Sequence, residues 1–353
     1  MSAKLVSAIY IWLDAKQNLR DKEWSIYMND RYRVGHLPQW KFDGSSTGQA
    51  IGEFSDVFIC PVYVCKNPFR KNDRENILVL CETYNPNETR HKTNLRYRLK
   101  ELMEKYKEHE PWAGFEQEWF VTLDGQPIGA SFRDLVPQGP YFCSVGIDVN
   151  FGGEIKDEHY NLCLDAGLSI AGTNTEVAPG QHEFQIGPIK REACPKDALT
   201  TCDELIIARW LLHKIAASYG LGVSFDPKPM EGDWNGSGCH TNFSIKEMRE
   251  KDGIQKIYEA AERLKINHSQ NIQAYGEGNE QRLSGQHETS SIDVCDIGIG
   301  DRGKAIRIPT DVAREGRGYM EIRQPAANCS PYLVLTAIIE TVLGNRYKHQ
   351  KTD

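Results

Sequence analysis

Glu116 and Glu118 stand two residues apart in the stretch GFEQEWF, residues 114–120. In an extended strand residues i and i+2 share a face, so both carboxylates would point at one spot, with Phe115, Trp119 and Phe120 as apolar cover. Two carboxylates about 4 Å apart repel by roughly 4 kcal/mol at an effective dielectric of about 20, and something positive must offset them. Alone, the stretch is equally compatible with a polar edge strand in water.

Three further segments carry residues of the same kind. TEVAPGQHEFQIG (175–187) holds Glu176 and Glu183 on two extended halves that its Pro-Gly turn could fold toward one site. GDWNGSGCHTNFS (232–244) brings His240 on a small-residue loop, and GYMEIRQPAANCSP (318–331) brings Glu321. A lone glutamate is most often solvated, and a lone histidine is most often hydrogen-bonded structure. If the segments converge, Glu116, Glu118, Glu176, Glu183, Glu321 and His240 form an oxygen-rich cage with one imidazole and no thiolate. Such a set suits Mg²⁺ or Mn²⁺ and is a poor match for structural zinc. Its acids could hold two or more ions, the arrangement phosphoryl-transfer sites use to neutralise charge.

Arg282, Arg302, Arg307 and Arg323, with Arg249 earlier, add guanidinium groups suited to phosphate and carboxylate. Each alone reads as a solvated surface charge. The chain has no P-loop motif. A formal G-x-G-x-x-G at 298–303 is followed by the β-like KAIRIP (304–309), where a dinucleotide site needs a helix N-terminus, so it is rejected as a chance match in a turn.

These residues need a framework. The 353-residue chain suggests about two domains, and its 40% hydrophobic and 26% charged residues fit a soluble globular protein. A net charge of −7 argues against a nucleic-acid binder. Ten cysteines with no C-x-x-C pair, and a start without a secretory pattern, point to reduced thiols in the cytoplasm. No run approaches about 18 apolar residues, so no membrane span is expected.

Short β-like runs (Ala8–Leu13, Val57–Val64, Ile77–Thr83) fill the first part of the chain, which ends in the turn-rich TYNPNETRHKTN, 83–94. Helical spacing then takes over at Leu95, Leu99, Leu102, Met103 and Tyr106 behind the possible cap Asn94, and these side chains read as core. Further amphipathic helices are expected near 156–166, 200–219 and 254–264, and from Ser330-Pro331 to a stop at Gly344. The pattern is α+β, with helices covering a sheet that carries the chemistry.

Six collinear motifs then carry a resemblance over essentially the whole chain. They are KFDGSSTGQA (41–50), PWAGFEQEWF (111–120), EVAPGQHEFQIGP (176–188), SFDPKPMEGDWNGSGCHTNFS (224–244), RLSGQHETS (282–290) and GYMEIRQPAANCSPY (318–332). Together they resemble the glutamine synthetase family of the eukaryotic-type class. The resemblance implies an N-terminal β-grasp domain at 1–92 and a larger sheet-and-helix catalytic domain at 93–353. It implies ATP-dependent ligation of ammonia to glutamate through a γ-glutamyl phosphate.

By the same resemblance, Glu118, Glu176 and Glu183 would hold one ion, and Glu116, His240 and Glu321 another. Arg302, Arg307 and Arg323 would draw charge off the γ-phosphate. Glutamate would sit against Asn235, Gly236, Arg282 and Arg302, and Trp112, Ser244, Arg249 and Tyr319 would surround the nucleotide. Asp43 and Glu288, the latter on a flap, would capture ammonium and remove its proton. Stacked rings, as a decamer, would place active sites between neighbouring subunits. The alternatives are a γ-glutamyl ligase for another amine, which retention of Asp43 and Glu288 argues against, and an inactive structural homologue, which the full set of cage ligands argues against. The chain departs from the family at Gln324, where a second arginine is usual, and at His182, where tryptophan is usual.

Overall fold

The computed structural model describes residues 4–28, 33–70, 75–131, 135–136, 138–187 and 197–344. The first five strands, β1 (Lys4–Leu13), β2 (Leu19–Met28), β3 (Trp40–Asp43), β4 (Asp56–Lys66) and β5 (Glu75–Tyr84), form one sheet in the order β2-β1-β5-β4-β3. Alternation along β1 splits its side chains between two cores. Val6, Ala8, Tyr10 and Trp12 join the sheet's own core with Phe42, Val57 and Ile59, while Ile11 packs into the larger core that runs on beneath the second sheet.

The second sheet has nine strands: β6 (Trp112–Leu123), β7 (Gln126–Pro127), β8 (Ile170–Thr175), β9 (Gln181–Ile186), β10 (Gly222–Ser224), β11 (Cys239–Ser244), β12 (Ile297–Ile299), β13 (Ile306–Ile308) and β14 (Met320–Ile322). Its main path runs β12-β13-β14-β11-β6-β9-β8, with β7 and β10 also on β6. The strand carrying Glu116 and Glu118 is therefore central, which removes the edge-strand reading. Phe115, Trp119 and Val121 lie in the main core, on the face opposite the carboxylates. Phe120 falls on the carboxylate side, in a small cluster with Ala178 and Met230.

The helices cover the back of this sheet and meet the expected spans closely: Arg96–Lys105, Gly153–Ala166, Ala198–Ser218, Ile254–Ile266 and Pro331–Val342. Their ends follow local chemistry. The Asn94 side chain accepts from the Tyr97 N–H at 3.2 Å, Asp197 caps the Ala198 helix through the Thr200 N–H at 2.8 Å, and Gly167 ends the second helix with a φ of 80°. Leu99, Leu102 and Met103 are buried, as their spacing required. The 298–303 glycines lie at the crossing from β12 to β13, a parallel pair, and lead into a strand rather than a helix, so the nucleotide fingerprint is absent there.

Ionic and polar contacts join the two sheets. Arg96 reaches Glu82 of β5 at 2.7 Å and Asp203 of the Ala198 helix at 2.7 Å. Tyr63 of β4 donates to Glu204 at 2.9 Å, and Trp210 donates to Asp21 at 2.9 Å. No helix of the described residues is long and apolar enough to cross a membrane. The nine cysteines among the described residues are free thiols.

Candidate active site

Strand register gathers the acids. Glu118 lies directly opposite Glu183 on β9, and Glu116 opposite His240 on β11. On the far side of β11, Asn242 faces Glu321 of β14, which in turn faces Arg307 of β13. Like charges directly opposite destabilise a sheet, so this arrangement runs against folding and needs a counter-charge. The face opens into a cavity of about 490 Å³ lined by Glu116, Glu118, Glu176, Glu183, His240 and four arginines, Arg282, Arg302, Arg307 and Arg323, with Asn235, Gly236 and Glu288 at its sides.

Spacing within the cage suits a small hard cation. Ligand atoms of Glu116, Glu183 and His240 lie within 4.8 Å of one another. His240 Nδ1 is buried without a hydrogen-bond partner, 3.6 Å from Glu116 and 3.6 Å from Glu321. Those gaps are too long for hydrogen bonds but within the span of two ligands on one ion. The cluster takes members from both expected ligand sets, so Glu183 stands near the Glu116 and His240 group as well as opposite Glu118. Glu321 is held by Arg307 and by Arg323 at 2.6 Å and is not among the residues lining the cavity.

The charges report the same strain. Burial raises Glu118 above the usual carboxylate range even though Arg282 and Arg323 pull it down. Burial, then the charge of Glu118, pushes Glu176 up to about 8. Glu183 rises well above its ordinary value through burial, with Glu116 adding to it. Burial holds His240 well below the usual imidazole range and brings Arg282 down to about 10. A divalent cation would supply the missing positive charge, and the donor set of carboxylates plus one imidazole fits Mg²⁺ or Mn²⁺.

Polar side chains that the motifs alone did not single out orient the acids. Gln181 donates to Glu118 at 3.1 Å and to the Gly236 carbonyl at 2.9 Å, Asn242 donates to Glu116 at 2.8 Å, and Gln185 donates to Glu183. Gln181 and Gln185 flank Glu183 at i±2, so the alternation in QHEFQ carries the signal. Gly238 gives its N–H to Glu118 at 2.7 Å, and a Cβ there would meet Arg282 Nη2 at 2.5 Å and His240 Nε2 at 2.8 Å. Only glycine lets the backbone approach this closely.

A second cavity of about 440 Å³ shares Glu116 with the first and is lined by Trp112, Ser244, Arg249 and Tyr319, the four residues expected around a nucleotide. The Arg249 guanidinium lies 3.7 Å over the Trp112 ring and donates to Ser244 at 3.0 Å. Two flat or cationic surfaces at one end and four arginines at the other would match a purine and its phosphates.

Loops form the mouth. His287 and Glu288 have φ values of 51° and 58°, consecutive left-handed positions without glycine that cost about 1–3 kcal/mol each. Glu288 is 3.9 Å from Arg323, and its carbonyl accepts from Arg323 at 3.4 Å. Asp43 ends β3 in the N-terminal sheet and is not among the residues lining the cavity. Its exposed carboxylate accepts from Ser45 at 2.6 Å and Ser46 at 2.7 Å, which draw its pKa down to about 2.

The two departures lie off the cavity. His182 faces the core side, its ring centroid 4.7 Å from that of Trp119 in a tilted contact, and is bonded to the Phe151 carbonyl at 2.8 Å, on the opposite face of β9 from Glu183. Gln324 is buried and donates to the Val294 carbonyl at 3.1 Å.

Residues 92–344 match the glutamine synthetase catalytic-domain family. Glutamine synthetase of Mus musculus is 45% identical over 347 residues, covering 96% of this chain and 90% of that protein. A putative glutamine synthetase of Acanthamoeba polyphaga mimivirus is 44% identical over 337 residues, covering 94% of this chain and 93% of that one. The cryo-EM structure of Plasmodium falciparum glutamine synthetase shares the fold, with a TM-score of 0.72 over 97% of this chain and 72% of that chain at 20% identity. With its sheet-borne carboxylate cage and a match to the catalytic domain over most of its length, this chain belongs to the glutamine synthetase family.

Proposed function

We propose that this chain ligates ammonia to L-glutamate at the expense of ATP, giving L-glutamine, ADP and phosphate. The observation that carries the reading is the convergence of Glu116, Glu118, Glu176, Glu183 and His240 with four arginines on one cavity, joined at Glu116 to a second cavity with an aromatic and cationic lining. A carboxylate is a poor acyl donor. Transfer of the γ-phosphoryl group makes a γ-glutamyl phosphate, whose carbonyl ammonia attacks while phosphate leaves.

The chain's own groups divide that work. The six cage residues, Glu116, Glu118, Glu176, Glu183, His240 and Glu321, would hold two or more Mg²⁺ or Mn²⁺ ions, which would offset the phosphate and carboxylate charge. Arg302, Arg307 and Arg323 stabilise the charge that develops on the transferring phosphoryl group. Arg282 and Arg302, with Asn235 and Gly236, orient glutamate, and Trp112, Ser244, Arg249 and Tyr319 take the nucleotide. Ammonium must lose a proton before it can attack, and the carboxylates of Glu288 and Asp43 take that role.

Asp43 lies in the N-terminal sheet outside the cavity, and by the family resemblance it would complete the site of a neighbouring copy in a ring, with two rings stacked into a decamer. A monomer that turns over at the full rate would refute this sharing. The free thiols agree with a cytoplasmic protein. The direct test measures ADP and glutamine from ATP, glutamate, ammonium and Mg²⁺. Equal rates of both support the reading, and product formation only with another amine would move the chain to a different γ-glutamyl ligase.

A further inference from the structure

We propose that His287 is a positioning residue that latches the flap bearing Glu288 across the cavity mouth, so that the γ-glutamyl phosphate meets ammonia before water. The inference rests on the glutamine-forming reading above. The two ring nitrogens of His287 reach two different loops. Gln138 Nε2 meets Nδ1, and Nε2 lies 3.0 Å from Asp233 Oδ1. The two nitrogens sit on different edges of one rigid ring, so a single side chain can meet both loops at once.

The placement gives the bridge its use. Asp233 lies two residues before Asn235, which lines the cavity, and Gln138 lies just before the cavity residues Phe142 and Cys143. His287 thus ties together three stretches of the rim. The remaining holds on the flap run inward to its own base and to Arg323: Thr289 Oγ1 reaches the Gln286 carbonyl at 2.7 Å, and Arg323 reaches the Glu288 carbonyl at 3.4 Å. The left-handed residues His287 and Glu288 both line the cavity, with His287 also reaching the neighbouring loops.

A closed rim matters because two nucleophiles compete for one carbonyl. Ammonia forms the C–N bond and expels phosphate, giving glutamine. Water forms a C–O bond and expels phosphate, returning glutamate with the ATP spent. Excluding water at this stage is the ordinary function of a closing loop.

The test measures phosphate and glutamine together at saturating ATP, glutamate, ammonium and Mg²⁺. In the wild type they form in equal amounts. His287→Ala raises the ratio of phosphate to glutamine and raises the KM for ammonium more than the KM for ATP. Asp233→Ala moves the ratio the same way by no more than about five-fold, because the Asp233 end of the pair is exposed. Asp233→Asn keeps the Oδ1 acceptor and restores the wild-type ratio. The double alanine variant is no worse than His287→Ala, since both act through one bridge. Alanine variants that keep equal phosphate and glutamine, or that add fully in the double, overturn the latch. A wild type without glutamate-dependent phosphate release overturns the functional reading and the latch with it.

Discussion

The floor of the cavity and its mouth are built on opposite principles. The floor stands on five neighbouring strands, β13, β14, β11, β6 and β9, whose register puts Glu118 against Glu183 and Glu116 against His240. Beneath it lies a packed layer in which Gln117 is fully buried and accepts from Arg209 at 2.9 Å. The mouth stands on loops with positive φ at His287 and Glu288 and with rim contacts open to water. Charge must be held to a fraction of an ångström where phosphate is transferred, and a sheet provides that. Substrates must enter and water must then be kept out, and that takes a segment able to move.

The contrast breaks first at the floor. Glu118→Ala should lower glutamine formation by about three orders of magnitude, and Mg²⁺ should raise the melting temperature of the wild type but not of the variant. Near-wild-type turnover at limiting Mg²⁺ would show that the floor works without this carboxylate. At the mouth, Glu288→Ala should cut ammonium-dependent glutamine formation by about 10²-fold while glutamate-dependent ADP release falls much less. Equal losses of both products would merge the two regions into one function.

Acid tests the packing under the floor. His159 is buried and bonded to the Ala208 carbonyl at 2.9 Å, its ring centroid 4.7 Å from that of Phe184 in a tilted contact, and burial lowers its pKa from 6.5 to about 4. Its neutral form is favoured in the fold, so its contribution is whole above pH 6.5. Between pH 6.5 and about 4 the unfolded chain gains a proton that the folded one refuses, and stability falls by up to about 3 kcal/mol. His159→Gln keeps a donor but cannot titrate. Its melting temperature should drop less than the wild type's between pH 7 and 4.5, and parallel drops would place the acid sensitivity elsewhere.

The smallest effect is expected at Gln324. Its side chain is committed to the Val294 carbonyl, away from both cavities. Gln324→Arg should leave the KM for ATP within about two-fold and lower the melting temperature, because a charged guanidinium would be buried in place of a neutral amide. A clear gain in ATP affinity would show that an arginine there turns into the cavity.

The floor was legible in the sequence because alternation is local. Glu116 and Glu118 share a face by their spacing, and the Pro-Gly turn between Glu176 and Glu183 states that the chain doubles back. Helix ends were legible for the same reason, through Asn94, Gly167 and the Ser330-Pro331 start. The resemblance supplied the ligands' convergence, which no local rule could give. The rim was hidden. Gln138 and His287 are 149 residues apart, and nothing in QHETS announces two left-handed residues without glycine. His182 and Gln324 drew attention as departures, yet both side chains turn away from the cavity, a matter of which face a residue takes.

The guanidinium of Arg96 is shared between Glu82 of the first sheet and Asp203 under the second, and all three side chains are largely shielded from water. Removing one member of a buried ionic set costs about 3–5 kcal/mol, because its partners keep their charge without a counter-ion. A cut in the connection between Tyr84 and Arg96 would separate Glu82 from the guanidinium, and both fragments would inherit that debt. The two sheets therefore enter and leave the folded state together. A calorimeter should register one cooperative event for the chain, whatever the number of domains its outline suggests.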